Sequence, residues 1–276
     1  MPLSVNTNIA SLTAQRSLSN SQSTLETAFE RLSTGKRINS AVDDAAGLAI
    51  SQTLTSKVNG LNQAVRNAND GISVVQIAEG ALDEVTTILQ RMRDLAVQAS
   101  NDSLSSTERG YLDTEADKLE AALNDVSGAA KFGSTTLLSG SFAAGKTFQV
   151  GADSGDTMTI TINTVDAATL TVEGADIVLN GTSGQAQAAI TTIDAALNAV
   201  ASDRATLGAV QSQLESTVRN LANVAENTAA ARSRILDTDY AAETANLTKA
   251  QILQQASTAI LAQANAQPQT VLSLLQ

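Results

Sequence analysis

The stretch of sequence that decides the fold comprises residues 61–99 and reads LNQAVRNANDGISVVQIAEGALDEVTTILQRMRDLAVQA. Its apolar side chains recur in steps of three and four residues, at Leu61, Val65, Ala68, Ile72, Val75, Ala78, Leu82, Val85, Leu89, Met92, Ala96 and Ala99. This spacing places them on one face of an α-helix. Because the pattern keeps one register for 39 residues, it predicts a helix far longer than those of ordinary globular domains.

Similar patterns predict helices before and after this stretch. Near the N-terminus, a seven-residue repeat of large and small side chains consists of Leu18, Leu25 and Leu32 with Ala14, Ser21 and Ala28. This repeat ends at a turn that contains Gly35, and the long helix is expected to begin near Asp43, whose carboxylate suits a helix N-cap. A shorter helix is predicted from about residue 106 to residue 126.

Helical periodicity returns in the C-terminal half. A second seven-residue repeat consists of Ile193, Val200, Leu207, Leu214 and Leu221. Its complementary seam is interrupted by Arg204 and Gln211. A last helical stretch covers residues 243–265, with a predicted seam of Leu253, Ala256, Ile260 and Ala264. Outgoing and returning helices of this length need each other, because neither buries its apolar stripe alone.

Residues 132–184 differ from the helical parts, since they are rich in Gly, Ser and Thr. Met158, Ile160 and Ile162 alternate with threonines, which is typical of a β-strand. Further short strands are predicted at residues 147–150, 170–172 and 177–179, and turns at Asp153-Ser154-Gly155 and Asn180-Gly181. This region is therefore interpreted as a small β-rich insertion.

The predicted fold is mainly α, a long antiparallel helical hairpin or coiled-coil bundle with paired N- and C-terminal helices and a small β-rich insertion at its distal tip. Three domains are expected. Residues 1–42 with 236–276 form a terminal helical assembly domain, residues 43–145 with 186–235 form a helical rod, and residues 146–185 form a surface-exposed variable insertion.

The composition excludes several classes of function. The 276 residues include no His and no Cys, which removes the commonest general base, the commonest transition-metal ligand and all thiolate chemistry. We therefore expect no catalytic, metal or cofactor site. A formal net charge of −11 argues against nucleic acid and anionic membranes as partners, since both favour an excess of Lys and Arg.

The charge is distributed unevenly along the chain. Residues 250–276 carry no charged side chain and are rich in Ala, Gln, Leu and Ile. Such a segment can be buried in a dense assembly without the desolvation cost of buried charges. The opening residues lack a basic region followed by an apolar core, so a cleaved secretory signal is not expected.

Both ends of the chain resemble bacterial flagellin. The matching N-terminal segments are VNTN at 5–8, LSTGKRINS at 32–40 and DDAAGLAI at 43–50. The matching C-terminal segments are ARSRI at 231–235, DTDYA at 237–241, KAQILQQA at 249–256 and PQTVLSLL at 268–275. Together the matches extend over roughly two thirds of the chain, in the family's order.

The resemblance implies a function and a set of partners. The protein would be exported unfolded through the flagellar type III apparatus and would polymerise with itself into the extracellular flagellar filament. Its implied partners are a flagellar export chaperone, the filament cap and hook-associated proteins. The terminal segments would be largely disordered in the free subunit and would become ordered in the inner tube of the filament.

The resemblance also implies recognition by the vertebrate Toll-like receptor that senses flagellin. The block LQRMRDLAVQ at 89–98 resembles the recognised surface, and residue by residue the contacts would be Gln90, Arg91 and Leu95, with Glu115 on the following helix. The alternative interpretation is that Arg91 is an ordinary solvated charge.

Assembly contacts are expected at both ends. The predicted residues are the seam leucines Leu18, Leu25 and Leu32, the apolar Leu253 and Ile260, and a mixed-charge corner of Arg232, Arg234, Asp237 and Asp239. The family implies that this corner joins the terminal domain to the rod and takes part in subunit contacts. A solvated helix surface is the alternative interpretation of the same four residues.

Two rival functions remain open at this point. A hook-filament junction protein shares helical ends of this kind, although the blocks at 249–256 and 89–98 favour flagellin itself. A soluble coiled-coil adhesin or binding module would depend on the middle of the chain and not on its ends. An enzyme is the least favoured class, because His, Cys and a Gly-rich phosphate loop are all absent.

Overall fold

The computed structural model describes residues 7–174 and 176–273, with side chains as far as residue 267. In this part of the chain, the helices are α1 (Ile9–Thr34), α2 (Ala45–Ala99), α3 (Ser106–Ala129), α4 (Ser183–Leu236) and α5 (Tyr240–Ser273). The strands are β1 (Lys131–Phe132), β2 (Thr135–Thr136), β3 (Lys146–Gln149) and β4 (Thr157–Ile160). The predicted mainly helical fold with a small β-containing insertion is confirmed.

The chain divides into two compact units, Met1–Ser56 with Asn227–Gln276, and Lys57–Glu226. We call the first the terminal unit and the second the rod unit. The three domains expected from the sequence have other boundaries, and they stay a prediction. Residues 1–6 and 274–276 of the predicted terminal domain lie outside the described residues.

In the terminal unit, α1 packs along α5 in antiparallel orientation. The amide Nδ2 of Asn8 donates to the carbonyl oxygen of Ala264 at 2.7 Å, and the hydroxyl of Ser11 donates to Oδ1 of Asn265 at 2.8 Å. At the other end of the pair, Arg31 approaches Glu243. The two helices therefore contact each other from the start of α1 to its end.

Small side chains form the contact between these two helices. The buried positions of α5 recur every seven residues, at Glu243, Ala250, Ser257 and Ala264, and those of α1 include Ser11, Ala14 and Ala28. Because all of these side chains except Glu243 are short, the backbones of the two helices approach each other closely. The seam leucines Leu18, Leu25 and Leu32 are partly buried at the flanks of this contact.

The predicted seam of α5 is wrong at three of its four positions. Leu253, Ala256 and Ile260 are exposed, whereas Ala264 is buried as expected. The error arises because we expected the largest aliphatic side chains of α5 to face its partner. In the structure, close approach of the backbones selects the smallest side chains instead.

In the rod unit, α2 and α4 run antiparallel, and their seams are as predicted. Every position of the α2 seam is buried or partly buried, and Ile193, Val200, Leu207, Leu214 and Leu221 of α4 are all buried. Two ion pairs fix the register: Arg93 Nε lies 2.6 Å from Asp194 Oδ1, and Arg204 Nη1 lies 3.0 Å from Asp83 Oδ1. Arg204, which interrupts the apolar pattern in the sequence, thus lies at the polar edge of the helix contact.

Two antiparallel hairpins follow α3. β1 pairs with β2, and β3 pairs with β4 in the register that places Phe148 opposite Met158. The strands predicted at 147–150 and around Met158 are therefore confirmed, with small shifts of their ends. Ile160 and Ile162 are buried against the helices.

The strands predicted at 170–172 and 177–179 are wrong. Their apolar side chains are buried, as the alternation suggested, but their backbone amides bind elsewhere. The amide of Val172 donates to the carbonyl oxygen of Ala167 in a turn, and the amide of Leu179 donates to the Asp113 carboxylate of α3. Because these donors are satisfied by a turn and a helix side chain, no neighbouring strand is required.

The N-cap of α2 also differs from the prediction. Asp44, and not Asp43, caps the helix: its carboxylate accepts a hydrogen bond from the amide of Gly47 at 2.8 Å. The Asp43 carboxylate closes the preceding turn, where it accepts the amides of Asn39 and Ser40 and the hydroxyl of Ser40. These hydrogen bonds to the ionised form hold the pKa of Asp43 below its ordinary value.

None of the described helices is sufficiently long and apolar to cross a bilayer. Within residues 7–174 and 176–273, no three acidic side chains converge in the manner of a metal site.

Candidate assembly and recognition surfaces

The terminal unit exposes large apolar side chains that the α1–α5 contact does not cover. On α1 these are Ile9, Leu12 and Phe29, and on α5 they are Ile252, Leu253 and Ile260. Ile9 is 69% exposed and Ile252 is 60% exposed. Six large apolar side chains exposed on one helix pair indicate a surface that another protein covers.

Helix α5 carries large apolar side chains outside the face that contacts α1. Ala250 and Ala264 face α1, whereas Ile252, Leu253 and Ile260 point away from it. A helix whose apolar side chains extend beyond one stripe favours burial against more than one neighbour. Since residues 250–276 carry no charged side chain, burial of the described part of this helix beyond Lys249 desolvates no charge.

A short backbone bridge ties the end of α1 to the end of α4 within the terminal unit. Lys36 and Asp237 form an isolated antiparallel bridge. The amide of Arg37 donates to the carbonyl oxygen of Leu236 at 2.7 Å, and the amide of Thr238 donates to the carbonyl oxygen of Gly35 at 3.0 Å. The Arg37 guanidinium adds a hydrogen bond to a carbonyl oxygen of α4 at 2.9 Å.

Gly35 is required at this bridge for two reasons. Its φ of +69° lies in the left-handed region that favours glycine, and it ends α1 by donating to the carbonyl oxygen of Arg31. A Cβ at this position would lie 2.8 Å from the hydroxyl of Tyr240. The turn predicted at Gly35 is therefore also a packing contact with the start of α5.

The four residues of the mixed-charge corner occupy different settings, and their role in subunit contacts stays a prediction. Asp237 lies in the bridge, and Asp239 caps α5 by accepting the amides of Ala241 and Ala242. Arg232 is partly buried and Arg234 is exposed. Neither arginine forms an ion pair with a described residue, so these two cations remain available for contacts with another molecule.

A shallow groove of about 340 Å³ lies beside the bridge, within the terminal unit. It is lined by Lys36, Ile38, Asn39, Leu48, Ser51, Gln52, Thr55 and Leu236. Val42, in the turn before α2, is 94% exposed. The terminal unit therefore exposes an apolar side chain and a groove at the same junction.

The predicted recognition residues separate into a surface pair and a core residue. The Arg91 guanidinium of α2 donates twice to Oε1 of Glu115 on α3, at 2.9 Å from Nε and 2.5 Å from Nη2. The two side chains are 53% and 43% exposed, and Gln90 beside them is exposed. Gln90, Arg91 and Glu115 are thus together on one accessible surface.

Leu95 does not share this surface. It is 1% exposed and belongs to the core of the rod unit. Its assignment as a surface contact is wrong, because α2 has a second buried stripe, with Val74 and Leu95, beside the predicted seam. In residues 89–99 the sequence shows apolar side chains at adjacent positions, and this was the available signal for a helix buried on two sides.

Sequence reasoning missed Arg109, which is buried in the rod unit. Its guanidinium donates to the carbonyl oxygens of Ala99, Asn101 and Gly181 at 3.0, 3.0 and 3.2 Å. It therefore closes the end of α2 and holds the segment that precedes α4. Only the three-dimensional convergence of these carbonyl groups distinguishes it from a solvated arginine.

Two carboxylates of α3 have shifted pKa values in opposite directions. Burial raises the pKa of Glu120, and the neighbouring charges of Glu173 and Asp117 act in the same sense. The pKa of Glu108 is lowered, because its carboxylate accepts the backbone amide and hydroxyl of Ser105 in a capping box. Both shifts follow from the structural positions of the two side chains.

Comparison with known families gives two matches. Residues 5–143 match the bacterial flagellin N-terminal helical region, and residues 190–275 match the bacterial flagellin C-terminal helical region. Residues 144–189, which include β3 and β4, lie between the two matched regions.

Whole-chain similarity extends to curated flagellins. The chain is 44% identical over 273 residues to flagellin of Halalkalibacterium halodurans, with 99% of each chain covered. It is 38% identical to flagellin B of Vibrio cholerae over an alignment of 376 residues that covers both chains fully. The greater length of that alignment identifies this chain as a short form.

Solved structures share the fold. Bacillus cereus flagellin aligns with a TM-score of 0.50 and 29% identity, covering 60% of this chain and 94% of that one. A protein described as a flagellar hook-associated protein from Vibrio parahaemolyticus aligns with a TM-score of 0.59, covering 71% of this chain and 100% of that one. The second pair is 17% identical, so it indicates a common fold alone.

Proposed function

The chain belongs to the bacterial flagellin family and is a structural subunit of the flagellar filament, and on this premise we propose that α5 is the element that further copies of the chain bury during polymerisation. The observation that carries the proposal is the distribution of apolar side chains around α5. Ala250 and Ala264 are buried against α1, while Ile252 and Ile260 stay exposed on other sides. The occupant of those sides is a second copy of this chain, since a homopolymer surrounds every subunit with identical ones.

The α1–α5 pair is poorly suited to stand alone. Among the described residues, its buried side chains are mainly Ala and Ser, with one ion pair, two hydrogen bonds and partly buried leucines at the flanks. Small side chains bury little apolar area, and helix pairs derive most of their stability from such burial. The terminal segments, residues 1–42 with 236–276, therefore gain order in the polymer, where neighbouring subunits cover Ile9, Ile252 and Ile260.

The proposed division has two further domains besides the terminal segments. Residues 43–145 with 186–235 form the rod, whose apolar seams are already buried within one chain. Residues 146–185 form the variable surface region, which lies wholly in the interval between the matched family regions. Assembly then depends on the ends of the chain, whereas surface properties depend on its middle.

Partners other than the chain itself follow from family membership. We propose that the chain binds a flagellar export chaperone, the filament cap and hook-associated proteins. We also propose that it is exported through the flagellar type III apparatus. Arg232 and Arg234, which form no ion pair with the described residues, support contacts with neighbouring molecules at the junction of the terminal unit. The function needs no catalytic group, and the family to which the chain belongs is structural.

A recognition surface for the vertebrate flagellin-sensing Toll-like receptor is the second proposed function. Gln90, Arg91 and Glu115 carry it, because they lie together and are accessible. The ion pair with Glu115 holds the Arg91 guanidinium in one orientation before a partner arrives, which lowers the entropic cost of binding. Leu95 is left out of this surface because it is buried.

Charged substitutions on the exposed side of α5 test the assembly proposal. Ile252→Asp and Ile260→Asp should leave the helix content of the free chain unchanged, because neither side chain is buried against another part of the same chain. Each should abolish seeded growth of filaments, since a carboxylate would be buried without a partner. Ala168→Asp, at an exposed position of the insertion, is the control and should polymerise normally. Normal filaments from both isoleucine variants would refute the role of α5.

A further inference from the structure

The chain contains two Asn-Gly dipeptides in contrasting structural settings. Asn59-Gly60 lies inside α2, and Asn180-Gly181 lies in the connection that precedes α4. In such a dipeptide, the amide nitrogen of Gly can attack the side-chain Cγ of Asn, because Gly has no side chain to hinder the approach. Backbone conformation decides whether the two atoms meet.

The helix protects the first dipeptide. A helical amide is held in its hydrogen bond, and helical φ and ψ angles keep the Gly nitrogen away from Cγ. The amide of Gly181 lies outside any helix and has no acceptor among the described residues. Asn180 is exposed, so water also reaches this site.

From these two settings we propose that Asn180 is a site of spontaneous deamidation. The Gly181 nitrogen forms a bond to Cγ of Asn180, the bond from Cγ to Nδ2 breaks, and Nδ2 leaves as ammonia with the proton that the Gly181 nitrogen loses. Water then opens the resulting succinimide at one of its two carbonyl groups. The products are aspartate or isoaspartate at position 180, and the net change is water taken up and ammonia released.

The surroundings of Asn180 make this change structurally consequential. Its Nδ2 donates to Asp113 Oδ2 at 2.6 Å, and the amide of Leu179 donates to Asp113 Oδ1 at 3.0 Å. Deamidation replaces the donor with a carboxylate, so two negative charges face each other where a hydrogen bond was. The connection is thereby released from α3.

Neighbouring contacts extend the effect along the connection. The carbonyl oxygen of Gly181 accepts Nη1 of Arg109, and the amide of Thr182 donates to Oε1 of Gln185 at the start of α4. Isoaspartate lengthens the backbone by one carbon beside that carbonyl group. The modification thus loosens the segment that Arg109 holds against the end of α2.

Ageing of the purified full-length chain in mildly alkaline buffer tests the proposal. Peptide mass spectrometry and enzymatic detection of isoaspartate follow the two dipeptides in one sample, so Asn59 is the internal control. Asn180 should convert about tenfold or more faster than Asn59, since a helical amide reacts only from its locally open state. In urea the two rates should converge. Equal rates in the native protein, or a slower rate at Asn180, would overturn the proposal.

Substitutions test the structural consequence separately. Asn180→Asp should accelerate hydrogen exchange of the Leu179 amide more than Asn180→Ser, which removes the hydrogen bond without adding a charge. Combining Asp113→Asn with Asn180→Asp restores one donor and one acceptor, and exchange should slow again. The proposed release from α3 is wrong if the Leu179 amide exchanges no faster in Asn180→Asp than in Asn180→Ser. It is also wrong if this amide exchanges no more slowly in the double variant than in Asn180→Asp.

Discussion

The guanidinium of Arg31 lies 3.8 Å from the carboxylate of Glu243, and this ion pair spans the contact between α1 and α5. Glu243 is almost wholly buried, at 8% exposure. Nε of Arg31 is also buried and has no hydrogen-bond partner among the described residues. The pair therefore fixes how the two terminal helices align, but it leaves one polar atom unsatisfied.

Removing one member of this pair should be costly. Glu243→Ala leaves the Arg31 charge partly buried without a partner, and we expect a loss of about 1–3 kcal/mol in the stability of the terminal pair. The measurable result is a higher critical concentration for seeded polymerisation. Exchanging the charges, with Arg31→Glu and Glu243→Arg together, should recover part of the loss. No recovery would mean that the two side chains act independently.

The small side chains between α1 and α5 should not tolerate enlargement. Ala250 is 2% exposed, so Ala250→Leu forces the helices apart at an expected cost of about 1–3 kcal/mol. The temperature at which filaments depolymerise should fall. Ala250→Ser is the matched control, because serine already occupies the equivalent position 257. Equal depolymerisation temperatures for the two variants would show that close approach is not required.

Receptor recognition should depend on Arg91 and not on its neighbour Arg93. Arg91→Ala should weaken receptor activation by the free subunit without loss of helix content, since an exposed ion pair contributes at most about 1 kcal/mol to stability. Arg93→Ala is the control, because Arg93 has a comparable exposed ion pair with Asp194 on another helix. Dose-response curves of receptor activation in receptor-expressing cells measure the effect of each variant. An unchanged curve for Arg91→Ala would remove this residue from the surface.

Arg109 should be the most sensitive charged residue of the rod unit. Arg109→Leu leaves three carbonyl groups without their donor, and we expect a loss of about 3 kcal/mol or more in the free energy of unfolding. Arg109→Lys should lose less, since it keeps the charge and some of the bonds. Urea unfolding gives the values, with Arg91→Ala as the exposed control. A midpoint for Arg109→Leu that equals the control's would contradict this role.

The two shifted carboxylates of α3 should give opposite pH dependences. The pKa of Glu120 is raised in the folded state. Its contribution to the free energy of unfolding is therefore fully present below its unfolded pKa and is lost as pH rises through the folded pKa. Glu120→Gln should therefore be more stable than the parent chain at neutral pH, and the difference should vanish below about pH 4. Urea unfolding at several pH values measures it.

Glu108 supplies the control of opposite sign. Its pKa is lowered, so its stabilisation is present above the unfolded pKa and disappears as pH falls through the folded pKa. Glu108→Gln should be less stable than the parent chain at neutral pH, with a difference that shrinks in acid. Differences of the same sign for both variants would contradict the assigned causes.

Periodicity alone determined the helices and most of their buried faces. The seam from Leu61 to Ala99 and the repeat from Ile193 to Leu221 lie where the sequence placed them, because a long helix keeps the same side turned to its partner. The resemblance at both ends likewise led to the family. These features are local or repetitive, so a single sequence contains them in full.

Tertiary structure decided which of several apolar stripes is covered and which polar groups meet. Ala250 faces α1 while Leu253 stays exposed, because the distance between two backbones selects side-chain size and no periodicity encodes that distance. Leu95 is buried because α2 has neighbours on two sides. Arg109 and Asp113 bind carbonyl and amide groups that are distant in sequence. Those partners exist only once the chain has folded, which is why the residues looked ordinary in the sequence.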